Sequence, residues 1–300
     1  MKLVRFLWGL PIALVLLIFW LQDSHFHGND KGYENDVMHI ESLYPGDVAM
    51  WEMLFSSEPA YEFEQEPLGI ILPHHLAVGQ HIARFYKGMA EWKRSDTVFV
   101  ISPNHYEVGE ANFQTCGNCV WESVVGDLEL DMDYVKGLVD GGVAEIRDES
   151  FVKEHGIFAH TPFISRFFPE AKIVPILIKT GSSPEEISVL VDWLDINLRD
   201  EDLLIASIDF SHYKTLEEAE KDDALTHEAI VNFDTEALYE LYRGNDKPTP
   251  IDSPTTANVI LDLMGKRGRT NAVMIENTNT QQFYKAKLEE TTSHQFYTFN

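Results

Sequence analysis

The sequence predicts an α/β fold in which a mostly parallel central sheet carries helices on both faces and follows an N-terminal transmembrane helix. Three observations support this prediction. Short apolar runs alternate with longer segments that have the periodicity of amphipathic helices. The apolar runs are continuous and rich in β-branched residues, which is typical of strands covered on both faces. A longer apolar stretch follows two basic residues near the N-terminus.

The first segment predicts a membrane anchor over residues 1–22. Lys2 and Arg5 precede FLWGLPIALVLLIFWL, residues 6–21, in which no side chain is charged. As a helix this stretch would extend roughly 24 Å, which is workable against a hydrocarbon core of about 30 Å if the flanking polar side chains reach the interfaces. A cleaved signal peptide begins in the same way and stays an alternative. The basic residues before the stretch and the acidic residues after it place the main domain outside the cytoplasm, on a single-pass membrane protein.

The charge of the chain argues against nucleic acid as a partner. Lys and Arg number 23 against 49 Asp and Glu, so the formal net charge is −26 and phosphates would be repelled. The 300 residues suffice for one large α/β domain. We expect residues 23–65 to form an acidic linker, with an apolar patch at 48–55 that can dock as a helix, and residues 66–300 to form the domain.

Strands and helices alternate from residue 68 onward. The expected strands are the apolar runs at 68–72, 97–102, 172–178, 203–208, 272–276 and 294–299. Helical spacing of apolar residues predicts helices at 76–94, 183–199, 217–234, 235–244 and 255–268. Ser183 and Glu186 form a capping box at the start of the second of these helices.

Three of the predicted strands each end in histidine. LPHH carries His74 and His75, ISPNHY carries His105, and SIDFSHY carries Asp209 and His212. Ligands of open α/β sheets bind outside the carboxyl ends of the strands, so these side chains can converge although they are distant in sequence. Imidazoles are costly to cluster unless they are hydrogen-bonded, neutral or bound to a cation. The sequence therefore predicts a metal or catalytic pocket at this edge.

The segment KEHGIFAHTPFI, residues 153–164, adds Glu154, His155 and His160. The five-residue spacing of the two histidines does not put both on one helix face, so we expect a loop that folds over the pocket, followed by a short helix from about Thr161. The pattern is not HExxH, which argues against a zincin-type peptidase. His160 is the predicted pocket residue, whereas His155 could equally pin the loop to a backbone carbonyl.

These motifs together resemble the Memo-like family, which includes the proteins called AmmeMemoRadiSam system protein B. The resemblance rests on PHH at 73–75, SPNH at 102–105, EHGIFAHTPF at 154–163, IVPILI at 173–178 and SIDFSH at 207–212, and it runs from about residue 66 to the C-terminus. It implies a fold similar to that of class III extradiol ring-cleaving dioxygenases and a metal-binding pocket whose physiological reaction is poorly defined.

The resemblance also implies site residues. The first two metal histidines of the family fall on His74 and His105, and the Asp and His of its DFxH segment fall on Asp209 and His212. His75 has no such counterpart, since the family commonly has a small residue there.

This chain departs from the family at the third ligand. Memo-like proteins often have a cysteine in a CG motif ahead of a helix, where this chain has Asp252 and Ser253. His74, His105 and Asp252 would make a set of two histidines and one carboxylate, the arrangement that leaves open positions on non-haem Fe(II). We therefore favour iron as the divalent metal, with copper or zinc as alternatives. Asp252 could instead only cap the helix that starts near Pro254.

A metal at these positions assigns roles to the neighbouring residues. His212 would be the general acid or base, Asp209 would fix its tautomer, and His160 would orient the substrate or stabilise developing charge. The expected function is a metal-dependent, dioxygenase-like oxidoreductase that acts on an unknown small molecule. A zinc-type metal hydrolase and a non-catalytic metal- or ligand-binding protein are the alternatives.

The two cysteines, Cys116 and Cys119, occur in QTCGNCVW. Two thiols cannot complete a four-thiolate zinc site. In a domain outside the cytoplasm a disulfide across the turn is the expected state. A redox-active pair and reduced, inert thiols are the alternatives.

Overall fold

The computed structural model describes residues 37–43, 47–56, 59–92, 95–243, 249–283 and 289–300. Eleven strands and nine α-helices lie within these ranges. The strands are β1 Met38–Ile40, β2 Gly69–Leu72, β3 Thr97–Pro103, β4 Phe113–Thr115, β5 Cys119–Trp121, β6 Leu128–Glu129, β7 Glu145–Ile146, β8 Lys172–Ile178, β9 Leu203–Ser207, β10 Ala272–Asn279 and β11 Ser293–Phe299. The helices are α1 Val48–Ser56, α2 Gly79–Trp92, α3 Met132–Asp140, α4 His155–Phe158, α5 Thr161–Phe167, α6 Pro184–Asn197, α7 Leu216–Val231, α8 Thr235–Arg243 and α9 Pro254–Lys266.

Eight strands form the main sheet in the order β10-β11-β2-β9-β3-β8-β4-β7. The four central strands β2, β9, β3 and β8 run parallel to one another. Their carboxyl ends therefore lie along one edge, where His74, His105 and Asp209 follow their strands. A second sheet has the order β1-β5-β6.

Alternate residues of the central strands pack into two separate hydrophobic clusters. Val98 and Val100 of β3 belong to the cluster that contains α1, α2 and α5 residues. Phe99 and Ile101 belong to the cluster that contains α6 and α9 residues. Because successive side chains of a strand point to opposite faces, a strand buried on both sides must be apolar at every position. This explains why the central strands appear in the sequence as continuous apolar runs.

The sheet is mixed, which corrects the prediction of a mostly parallel one. Strand β11 runs antiparallel to both β10 and β2, and β4 runs antiparallel to β8. The continuous apolar pattern identifies strands that are covered on both faces, but it does not determine their direction. Direction depends on how the chain connects the strands.

The predicted N-terminal transmembrane helix is also corrected. Residues 1–22 lie outside the described residues, and no helix within the described part combines the length and apolar character needed to span a bilayer. The fold class as predicted is therefore wrong, and the structure supports a mixed α/β fold. The membrane as a partner and the location of the domain outside the cytoplasm depended on that helix, so they are corrected with it.

The segment before the first central strand contributes to the fold. Helix α1 forms at the apolar patch, with Trp51 and Phe55 buried against Phe163 of α5 at ring-centroid distances of 5.9 and 5.5 Å. Strand β1 pairs in parallel with β5. The limits of the linker at 23–65 and of the domain at 66–300 stay a prediction.

Candidate metal centre

Three histidines meet at the carboxyl edge of the central strands. His74 follows β2, His105 follows β3, and His155 opens α4. One ring nitrogen from each lies within 4.8 Å of the others, which is close enough for one ion to bind all three. The predicted residues His74 and His105 are thus brought together.

Hydrogen bonds fix the tautomer of His74. Its Nδ1 lies 3.0 Å from Ser207 Oγ, and that hydroxyl donates its own proton to the Gly156 carbonyl at 2.7 Å. The hydroxyl must therefore accept from His74 Nδ1–H, which leaves Nε2 with a free lone pair. Burial also lowers the pKa of His74 well below its ordinary value, so the ring is neutral. His74 is ready to act as a metal ligand through Nε2.

The Glu154 carboxylate orients His105, as Ser207 orients His74. Glu154 Oε1 accepts from His105 Nδ1 at 2.5 Å, and Glu154 Oε2 accepts from the His105 backbone N–H at 3.0 Å. Burial opposes protonation of the ring, but Asp252 and Glu154 together outweigh it and raise the pKa of His105 to about 10. A metal would compete with that proton at Nε2. The pairing of a carboxylate with a ligand histidine is the usual outer-shell support of a metal site.

Asp252 faces both of these histidines. Its Oδ2 lies 3.3 Å from His74 Nε2 and 3.6 Å from His105 Nε2. Both carboxylate oxygens are buried, and neither has a hydrogen-bond partner among the described residues. Burial raises the pKa of Asp252, with the nearby histidines opposing this shift. A buried carboxylate without a donor is costly unless a proton or a cation compensates it, so these residues fit a divalent metal.

The ring of His155 also belongs to the cluster. The sequence left its role open between the pocket and a structural contact. Its centroid lies 4.0 Å from that of His105 and 5.1 Å from that of His74. Burial lowers its pKa to about 4, so it is neutral near pH 7. The expected loop is in fact the short helix α4, and His155 enters the cluster from its first turn. The sequence feature that could have indicated this role is the position of His155 directly after Glu154, the residue that orients His105.

Asp209 links the cluster to a further histidine. Its Oδ2 lies 3.4 Å from His74 Nε2, while its Oδ1 accepts from the His74 backbone N–H at 3.2 Å and from His294 Nδ1 at 3.3 Å. His294 Nε2 is buried and has no partner among the described residues. The ring of His75 stacks on His294 at 5.3 Å. The alternating polar and aromatic pattern of the last strand gave no signal for His294.

The predicted acid–base residue His212 lies beside this group. Its Nδ1 is 3.4 Å from Thr292 Oγ1. Burial lowers its pKa, and the Asp209 carboxylate partly offsets that effect. His212 is thus neutral near pH 7, which suits a group that accepts a proton.

His160 lies behind His74, and both of its ring nitrogens have partners. Its Nδ1 is 3.0 Å from the Tyr86 hydroxyl, and its Nε2 is 3.2 Å from Ser207 Oγ. Ser207 thereby connects His160 to His74. No ring nitrogen of His160 is left for a substrate in this arrangement.

Comparison with known proteins identifies the family of the chain. A family model described as Memo-like protein matches residues 47–289, well over half of the chain. A MEMO1 family protein of Methanosarcina mazei is 31% identical over 225 residues, covering 72% of this chain and 80% of that protein. A MEMO1 family protein of Desulfurococcus amylolyticus is 29% identical over 185 residues, covering 60% of this chain and 65% of that protein.

The solved structure of an uncharacterized protein, JW3007, from Escherichia coli K12 aligns with a TM-score of 0.49 at 11% identity, over 77% of this chain and 99% of that one. That likeness is too weak to support an argument. The family match and the relatives carry the assignment: the chain belongs to the Memo-like family.

Proposed function

We propose that the chain binds one divalent metal ion through His74, His105 and Asp252 and uses it in a reaction on a small molecule. The observation that carries this proposal is the buried Asp252 carboxylate, for which no hydrogen-bond partner is found among the described residues. Its Oδ2 lies 3.3 Å from the free Nε2 of His74 and 3.6 Å from Nε2 of His105, where a metal would replace the proton. Each histidine is oriented by a hydrogen bond at its Nδ1, His74 by Ser207 and His105 by Glu154. Such outer-shell support is expected of ligands.

The reaction class we favour is metal-dependent oxidation, and extradiol-type ring cleavage is its most specific form. Two histidines and one carboxylate suit non-haem iron, whereas copper and zinc are alternatives. A metal of this kind, when bound, supplies Lewis acidity and open positions for the oxygen atoms of a substrate.

The residues around the metal ligands supply proton transfer and orientation. His212, neutral because burial lowers its pKa, would take a proton from the substrate at Nε2, since Nδ1 lies near Thr292. Asp209 accepts from the backbone of His74 and from the ring of His294, and so connects the segment after β2 with β11. His160 would position His74 through Ser207.

A zinc hydrolase is the second candidate, and His155 is the observation that favours it. His74, His105 and His155 form a three-histidine group with ring nitrogens within 4.8 Å of one another. Three histidines with an open fourth position are a ligand set of zinc enzymes that activate water.

Reconstitution of the metal-depleted full chain would separate the two candidates. The chain would be loaded anaerobically with Fe(II) or with Zn(II) and then assayed in air against a panel of catechols and a panel of esters. We expect catechol turnover with Fe(II) only, and loss of that turnover in His212→Ala with the metal content retained. Ester hydrolysis with Zn(II) alone would favour the second candidate, and binding without turnover of either panel would overturn the enzymatic proposal.

A further inference from the structure

The turn that contains both cysteines lies outside the site described above. Cys116 follows β4, Cys119 opens β5, and the two sulfurs are joined as a disulfide with a Cα–Cα distance of 6.1 Å. Both residues are buried. The expected disulfide is thus present, and its surroundings indicate what the pair can do when it is reduced.

The side chain of Asp148 contacts this turn. Its Oδ1 lies 3.1 Å from Cys116 Sγ and accepts a hydrogen bond from the Gly117 backbone N–H at 2.7 Å. A sulfur in a disulfide carries no proton, so it offers nothing for the carboxylate to accept. In the reduced protein the Cys116 thiol could donate to Asp148. The contact is therefore better suited to a thiol, or to a cation between the two atoms, than to a disulfide.

The side chains of Cys116, Cys119 and Asp148 together have the composition of a metal site. One ligand atom from each of Cys116, Cys119 and Asp148 lies within 4.8 Å of the others. The Cys-x-x-Cys spacing is the one with which structural zinc sites hold two thiolates from a single turn. The two thiolates and the carboxylate would occupy three of the four positions of a tetrahedral ion, and water would occupy the fourth.

We propose that reduced Cys116 and Cys119, together with Asp148, form a second cation site of the zinc class, distinct from the histidine centre. A dithiol reductant would supply two electrons and two protons, so that the S–S bond breaks, two S–H bonds form and the reductant becomes a disulfide. Cation binding then displaces both thiol protons to solvent. Asp148 begins the 3-10 turn Asp148–Phe151, six residues before Glu154, so an ion here would brace the segment that leads to the histidine centre.

Cobalt titration tests this proposal because thiolate ligands give Co(II) a near-ultraviolet charge-transfer band that histidine and carboxylate ligands do not. The full chain would be titrated with Co(II) anaerobically, once as the disulfide and once after reduction by a dithiol that is then removed. We expect the band in the reduced protein only. This comparison needs no substitution, so it does not depend on whether a variant folds.

Two variants then assign the ligands. Cys116→Ser combined with Cys119→Ser should abolish the band, and Asp148→Asn should weaken Co(II) binding at least about tenfold while keeping the band. Glu149→Gln, an exposed neighbour in the same turn, is the matched control and should leave affinity unchanged. Absence of the band in the reduced wild-type chain would overturn the proposal. Unchanged affinity in Asp148→Asn would also overturn it, because the site would then lack its carboxylate.

Discussion

At the scale of single residues, Glu154 and Ser207 determine which nitrogen of each ligand histidine faces the cluster. Glu154 is fully buried, yet it accepts from His105 Nδ1, the His105 backbone N–H and the Gly156 backbone N–H. These bonds, with the positive character of His105, lower the pKa of Glu154 despite its burial. A buried charge is tolerated here because every contact compensates it.

Glu154→Gln tests this role directly. The amide would keep the shape of the side chain but lose the charge that favours Nδ1–H on His105, so metal affinity should fall about 10–100-fold. Competition with a chromophoric chelator would measure it. The exposed Glu149→Gln serves as the control and should bind as the wild type does. Equal affinity in both variants would show that the carboxylate does not support the site.

Ser207→Ala should destabilise the fold as well as the site. Removal of the hydroxyl leaves His74 Nδ1, His160 Nε2 and the Gly156 carbonyl without their shared partner, at an expected cost of about 1–3 kcal/mol in the free energy of unfolding. Ser211→Ala is a matched control, because the Ser211 hydroxyl is buried but has no partner among the described residues. Denaturant unfolding should show a clear loss for the first variant and little for the second. A loss of similar size in both would contradict the proposed network.

At the scale of elements, the short helix α4 carries His155 into the cluster by packing tightly against the end of β3. Gly156 makes this approach feasible, since a Cβ there would overlap Ser102 Oγ and lie 3.2 Å from His105 Cε1. The glycine is needed for lack of space and not for an unusual backbone angle.

Gly156→Ala should therefore displace α4 and weaken the site. Overpacking of this kind typically costs about 1–3 kcal/mol of folding free energy, and the shift should also lower metal affinity. Gly181→Ala is the control, because a Cβ at that position meets no atom within 4 Å. Thermal unfolding and chelator competition would measure both effects. Equal stability and equal metal affinity in Gly156→Ala and Gly181→Ala would contradict this role of Gly156.

The elements also show how far the sequence could predict this fold. The four central strands were found because burial on both faces demands a continuous apolar run. The short strands β4 to β7 were missed, since two or three residues give no detectable period. The antiparallel placement of β11 was missed because strand direction leaves no mark in residue type.

The position of the predicted site residues has a similar explanation. His74, His105 and Asp209 follow regular strands, so their convergence follows from the parallel pairing of β2, β9 and β3. His155 and His294 reach the site through a short helix and through an antiparallel strand. Neither placement is encoded in local periodicity.

At the scale of the whole molecule, the buried histidines should make stability depend on pH. Burial lowers the pKa values of His75 and His160 to about 3 and that of His155 to about 4. A histidine of lowered pKa stabilises the fold above its ordinary value of about 6.5, and this contribution is lost as pH falls toward the lowered pKa. Asp223 opposes them, since burial raises its pKa to about 6.

Burial also lowers the pKa values of His74 and His212, and it raises those of Asp202, Asp252 and Asp262. Histidines of lowered pKa therefore outnumber carboxyls of raised pKa among the described residues, and the free energy of unfolding of the metal-free chain should decrease as pH falls from about 6.5 to 4. Each histidine contributes about 1.4 kcal/mol per pH unit within that window. Denaturant midpoints at several pH values would measure the slope. His75→Asn should make the slope shallower than that of the wild type, because it removes one of the groups of lowered pKa. A midpoint that stays constant through the window would contradict the burial of neutral rings.

The metal content of the anaerobically purified full chain, determined by elemental analysis, tests the central claim most directly. We expect the wild type to hold about one equivalent of divalent transition metal per chain more than His74→Ala and Asp252→Asn do, and His39→Ala to hold as much as the wild type. Equal metal content in the wild type, His74→Ala and Asp252→Asn, or none in any of them after reconstitution, would contradict a metal centre at these residues.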